Sequence, residues 1–478
     1  MPSVLVWLGL GLGVAVLFSL AVFVHEYGHY WVARLCGLRV DGFSIGFGPK
    51  ILGWTDKQGV EWAIRCIPAG GFVKLPQMIT SEMIEGQSEP GLPQIRPIHK
   101  ILVAVAGPVM NIILAFVLGG LIWAIGLPVP LNHTIIGFVP NDSPESRLGI
   151  KEGDRIVSID GRKMQNWEDI QTTAALALTN VLQVEILHVD GRSATYPIAT
   201  EVQPSLNLKF LRFGPKDHPV VKEVVPDSAA AAAGLRPGDE FVSFSGIQIA
   251  GQRQLIGLIE KRPNVASVVE LTRDGKLMRL ELTPRMDPKA KVGRIGVVIG
   301  YSDKLTYTLQ RPGPTPWAQV SGTVSRMFQF ARALSHQKES NVGVENLNGP
   351  VGIFTMMASE LRVDPRRAIA LLVVLNVNLA LLNLLPLPVL DGGHILMALF
   401  EIVTGIRIRA RVQEGLTLAF ALLLMGFMLF VTFNDVRGFP RLRGALKQES
   451  VIQPTPKPVT PTPAPVTPNP TSPTPAAP

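Results

Sequence analysis

Residues 22–29 read Val22-Phe23-Val24-His25-Glu26-Tyr27-Gly28-His29 and close an apolar run that covers roughly residues 4–24. Such a run is near the ~20 residues a helix needs to cross a bilayer, so the two histidines fall at the end of a membrane helix. At i and i+4 their imidazoles project from one face and can share a Zn²⁺ ion, while Glu26, beside the first ligand, can hold a water on that metal. The metal brings the water's pKa to about 7, and Glu26 is then the general base that takes its proton. In a soluble helix the same pattern is often a solvated face. Within a membrane span, however, each ionisable group costs ~2.5–3.5 kcal/mol on insertion scales, and His25, Glu26 and His29 together need a shared purpose.

Two histidines leave a catalytic zinc one protein ligand short. A later apolar run ends in Asn383-Leu384-Leu385-Pro386-Leu387-Pro388-Val389-Leu390-Asp391-Gly392-Gly393-His394, where two prolines break the helix and a carboxylate lies at membrane depth. Unwound backbone there calls for a protein-lined or watery cavity. His25 lies about twenty residues into its span and Asp391 similarly far along one running in the same direction, so the two reach the same depth. From chemistry alone, Asp391 and His394 both remain open as third ligand.

Composition agrees with a membrane protein: of 478 residues 47% are hydrophobic and 17% charged. Apolar runs near 4–24, 101–126, 368–390 and 416–433 predict four transmembrane helices, the third extending to about residue 400. Residues 130–365 between them have ordinary soluble composition, and residues 451–478, nearly all Pro, Thr, Ala and Val, predict a disordered, extended tail. The formal charge of +8 comes from scattered Lys and Arg without aromatic interleaving, which argues against nucleic acid. Residues 1–33 hold no Lys or Arg, whereas 34–100 and the link containing Arg407, Arg409 and Arg411 are basic. The positive-inside rule then puts both links in the cytoplasm, with the soluble insert and both termini on the outer side and the metal site near the cytoplasmic side of an inner membrane. Cys36 and Cys66 fall on the reducing side and are expected to be free thiols.

The insert repeats itself. Ser143-Pro144 through Gly149-Ile150-Lys151-Glu152-Gly153-Asp154 and on to Gly161 matches Ser228 through Gly234-Leu235-Arg236-Pro237-Gly238-Asp239 and on to Gly246 at a constant offset, which predicts a duplicated αβ domain. The pattern resembles the PDZ domain over roughly 130–200 and 210–290, and residues 291–367 link the pair back to the membrane core. Such domains bind peptides as an added strand or serve as spacers and size filters.

Two further segments stand out. Residues Val60–Leu75 alternate and reach Pro68-Ala69-Gly70-Gly71, which reads as a hairpin turning at those four residues. Gly107-Pro108-Val109-Met110-Asn111 weakens the second span with a proline and buries an amide.

The HExxH segment, Phe43-Ser44-Ile45-Gly46-Phe47-Gly48-Pro49, Pro68 through Leu75, and Asn383 through Gly393, in this order and with four spans and the duplicated insert, resemble the site-2 protease family over about residues 1–445. The resemblance implies an intramembrane zinc endopeptidase with zinc on His25, His29 and Asp391 and with Glu26 activating water. It assigns Asn383 and Pro386 to substrate handling, makes the hairpin carrying Gly70 and Gly71 a membrane-associated platform for an unwound substrate, and lets Asn111 steady the metal site or the substrate. The implied partners are lipid, peptide ligands of the insert, and single-pass membrane substrates such as anti-sigma factors or leftover signal peptides. The competing class is a non-catalytic membrane scaffold that captures peptides through its insert, in which Glu26 would have no chemical role.

Overall fold

In a computed structural model the chain is described at residues 2–78, 95–130, 134–139, 143–203, 207–216, 219–249, 251–288, 291–300, 304–406, 408–437 and 449–453. Seven helices form the membrane-facing body: α1 (Pro2–Leu35), α2 (Pro97–Ile125), α3 (Pro316–Ser335), α4 (Pro350–Val363), α5 (Pro365–Asn383), α6 (Asp391–Thr404) and α7 (Ala410–Arg437). The stretches Leu8–Leu35, Pro97–Ile125, Pro365–Asn383 and Arg411–Val436 are long and apolar enough to cross a membrane. Side chains such as Leu12, Val117, Leu423 and Phe430 stand exposed on them, as a lipid-facing surface requires, since helices satisfy their own backbone in hydrocarbon.

The third span is interrupted, as its prolines predict. Asp364 caps α5, its carboxylate accepting from Arg366 N at 2.8 Å, and Pro365 occupies the first turn, where a missing N–H costs nothing. The helix stops at Asn383, because Pro386 and Pro388 can neither donate to a continuing ladder nor tolerate a helical residue before them. The chain turns and restarts at Asp391, so the expected span to about residue 400 is two helices joined by a proline-rich turn.

Strands β1 (Gly42–Thr55) and β2 (Glu61–Lys74) pair antiparallel. Their turn is not at Pro68–Gly71. It lies at Asp56–Gly59, where the Asp56 carboxylate accepts from Gln58 N at 2.8 Å and Val60 N at 2.9 Å, a side chain mimicking a backbone turn. Both strands bend. Residues 42–45 pair with 74–71 on one side and with 61–64 on the other, while 52–55 pair with 64–61. The order across this small sheet is therefore 52–55, 61–64, 42–45, 71–74, and Pro68–Gly71 makes the bend that brings 71–74 back to an edge. Phe43, Val60, Val73 and Leu75 bury against Ala33 and Val103, fixing the sheet on α1 and α2.

The insert holds two separate cores, one containing Ile136, Ile156, Trp167, Leu182 and Ile198, the other Val221, Phe241, Phe244, Leu255 and Val269. Their local bonding is duplicated. Ser143 and Ser228 cap equivalent short helices, and Asp154 and Asp239 each accept at 2.8 Å from the backbone N–H three residues earlier, at Lys151 and Arg236. Each unit runs past its expected end. Leu211 and Phe213 complete the first core and Gly214 pairs with Phe138, whereas Val297–Gly300 pairs with Val220–Val224 to extend the second sheet.

Where the insert leaves and rejoins the helices, Leu127–Pro130 pairs antiparallel with residues 307–310, and 304–308 pair in parallel with Glu449–Gln453. The expected tail thus begins in a strand as far as residue 453, and its remaining residues, 454–478, lie outside the described residues.

Candidate metal centre

His25 and His29 sit on the face of α1 that packs on α2, both buried. Their rings meet edge to face with centroids 4.8 Å apart. Position 107 makes room for them: a Cβ there would collide with His29 Nε2 and with His25 Cε1. From α2 the two rings are held at their far nitrogens, His29 Nδ1 lying 2.8 Å from the Val103 carbonyl oxygen and His25 Nδ1 lying 3.1 Å from the Asn111 amide.

Asp391 arrives from the other side on the first turn of α6. Its Oδ2 lies 3.3 Å from His25 Nε2 and its Oδ1 lies 3.4 Å from His29 Nε2, while the two Nε2 atoms are 3.2 Å apart. Zinc–nitrogen and zinc–oxygen bonds of about 2.0–2.1 Å give a tetrahedron whose edge is about 3.3 Å. The two imidazole nitrogens, and the carboxylate oxygen that faces each of them, are therefore spaced as neighbouring donors to such an ion would be. The Asp391 Oδ2 atom is buried without a hydrogen bond, an orphan that a cation between the three side chains would satisfy. Two imidazoles and one carboxylate are also the donor types of a catalytic rather than a structural zinc.

A cavity of about 200 Å³ opens beside the triad, lined by Glu26, Val73, Leu75, Asn383, Leu390 and His394 among others. His394 borders this space, but among the described residues the group that could hold a metal ion is His25, His29 and Asp391. Of the two candidates for third ligand, it is Asp391 whose side chain meets both histidine nitrogens. Asn383 places Nδ2 3.3 Å from His25 Nε2, at the margin of the metal position. Pro386 is exposed in the turn and is not among the lining residues. Of the two hairpin glycines, Gly71 reaches the site, since a Cβ there would lie 2.9 Å from Glu26 Cγ, whereas a Cβ on Gly70 would meet the Phe47 ring. The Val103 carbonyl and Gly107 were not singled out as site residues from the sequence. Their one trace is the spacing of Gly107 and Asn111, i and i+4 on one helix face.

Peptidase family M50 matches this chain over residues 13–427. The chain belongs to peptidase family M50. It is a site-2-type metalloprotease. The regulator of sigma-E protease RseP of Escherichia coli is 30% identical over 441 residues, covering 86% of this protease and 95% of that protein. Putative zinc metalloproteases of Pasteurella multocida and Neisseria meningitidis are 28% and 29% identical, each over 88% of this protease and 97% and 98% of those proteins. Among solved structures, the PDZ domain of an SdrC-like protein from Listeria monocytogenes aligns with 17% of this chain and 87% of its own at 22% identity and a TM-score of 0.16. The protease is a multi-pass membrane protein, and its family sets the hydrolytic reading of the site above the scaffold reading.

Proposed function

We propose that the protease holds Zn²⁺ on His25, His29 and Asp391, uses Glu26 as general base, and hydrolyses a peptide bond in the transmembrane segment of single-pass membrane proteins during regulated intramembrane proteolysis. The observation that carries this is the meeting of the two Nε2 atoms and the Asp391 carboxylate, whose oxygens each face one imidazole, at 3.2–3.4 Å between nearest atoms, beside a cavity that Glu26 lines. Zinc bound there would polarise the scissile carbonyl and lower the pKa of a water to about 7. Glu26 removes the proton of the attacking water and returns it to the departing amide nitrogen as that bond breaks. Asn383, beside His25, orients the substrate backbone, and Pro386 holds the turn that presents Asn383 and Asp391 to one space.

A substrate helix must unwind before its backbone can reach the triad. Residues 71–74 form the edge of the hairpin sheet nearest Glu26, and among the described residues no strand pairs with their outer side. An unwound segment laid along that edge regains backbone hydrogen bonds lost with its helix. Gly70 and Gly71 keep the approach narrow and free of side chains. The basic residues between 34 and 100 put this platform on the cytoplasmic side of the inner membrane and the insert on the outer side. There two PDZ-like domains would take peptides or exclude untrimmed proteins, leaving as substrates remnants such as trimmed anti-sigma factors or signal peptides.

The test is cleavage of a tagged single-pass substrate in liposomes by wild type, Glu26→Gln and Asp391→Ala, with zinc content measured on each. The expected result is no cleavage by either variant, zinc retained in Glu26→Gln and depleted in Asp391→Ala. Cleavage by Glu26→Gln at the wild-type rate would overturn the catalytic assignment.

A further inference from the structure

The two metal-ligating imidazoles face the same demand. Each must offer a bare Nε2 to the ion, so each must keep its proton on Nδ1 and donate it to an acceptor. For His29 that acceptor is the Val103 carbonyl oxygen, 2.8 Å from Nδ1, and a carbonyl can only accept. For His25 the group at Nδ1 is the Asn111 amide at 3.1 Å, while Asn383 reaches the opposite nitrogen, Nε2.

Asn111 is completely buried, and with Nδ2 turned to the ring its Oδ1 has no hydrogen-bond partner. An Nδ2 donor would also drive the ring proton onto Nε2, 3.2 Å from His29 Nε2 and 3.3 Å from Asp391 Oδ2, where the metal belongs. The two ends of an asparagine amide have the same shape, and bonding decides which is which. Rotated about its axis, the amide keeps its bond to His25 but presents Oδ1 as acceptor, and that orientation alone agrees with a ligand at Nε2.

We propose that Asn111 is a positioning residue for the metal: its Oδ1 accepts from Nδ1–H of His25 and so fixes the tautomer in which Nε2 faces the ion. This assigns Asn111 to the metal rather than to the substrate, and it rests on the zinc-binding reading above. Gly107, one turn earlier on the same face of α2, supplies the recess in which that bond forms.

The experiment measures zinc affinity of the full-length protein in detergent, by competition with a chromogenic chelator, for wild type, Asn111→Leu, Asn111→Ala, Asn111→Asp and His25→Ala, with helicity and thermal midpoint checked on each. Losing the acceptor is expected to weaken zinc binding about 10–100-fold in Asn111→Leu and Asn111→Ala. Asn111→Asp, an acceptor that cannot donate when ionised, is expected to hold zinc as the wild type does. Wild-type affinity in a folded Asn111→Leu or Asn111→Ala overturns the proposal, and so does an Asn111→Asp as weak as those two. His25→Ala separates this from the reading beneath it. If it binds zinc like the wild type the metal site itself is misassigned, whereas loss of zinc there with retention in the alanine and leucine variants removes only the role of Asn111.

Discussion

Two imidazoles fit between α1 and α2 because residue 107 has no side chain. Gly107→Ala would put a Cβ within 2.8 Å of His25 Cε1 and against His29, and the rings would have to move. A displacement of about 1 Å at a reacting centre costs about 100-fold in rate, so Gly107→Ala is expected to lower both cleavage rate and zinc occupancy, read by turnover and metal content on the same sample. His394→Ala, in contrast, is expected to retain zinc, because His394 borders the cavity outside the donor triad; zinc depletion there as deep as in Asp391→Ala would reverse the choice of ligand. At this scale the sequence displays His25, Glu26 and His29, whose relation is set by one helical turn. It cannot display the Val103 carbonyl, since every residue carries that acceptor and only packing selects one.

Among the elements, α7 depends on a buried carboxylate. Asp435 accepts from Gly349 N at 3.0 Å and from Gly352 N at 2.8 Å, at the start of α4, where a helix dipole favours negative charge. Asp435→Ala leaves two donors unpaired and is expected to cost on the order of 3 kcal/mol, with Asp435→Asn losing about half as much. Denaturant unfolding in detergent reads both, and equal stability of all three proteins would show that α7 is held by other means. The hairpin illustrates why element order eludes sequence. Alternation in β2 predicts a strand, but Pro-Ala-Gly-Gly serves as a turn or a bend equally well, and the Asp56 side-chain bonds decide in favour of the earlier turn. Which segment becomes the sheet edge follows only from the fold-back of 71–74 onto 42–45.

At the scale of the molecule, the first insert unit is fastened to the helices that support it. Lys209 is buried and its Nζ donates to the Ala177, Thr179 and Glu339 carbonyls, and Arg162 donates to Gln329 Oε1 at 2.9 Å on α3. If the insert excludes untrimmed proteins, releasing this attachment in an Arg162→Ala, Lys209→Met double variant is expected to permit cleavage of an untrimmed substrate while trimmed substrate is cut as by the wild type. Rates measured on the two substrates side by side check this, and continued exclusion by the double variant would place the filter elsewhere. The sequence alone determined the features that rest on local periodicity and composition. They are four apolar spans, a histidine pair on one helix face at i and i+4, a proline break in the third span and a duplicated insert, since each follows from the spacing or character of the residues themselves. Only the tertiary structure decided what depends on distant segments meeting. Asp391 and His394 share one helix turn and offer comparable chemistry, and the packing of α6 against α2 directs the carboxylate, not the imidazole, onto the two histidine nitrogens.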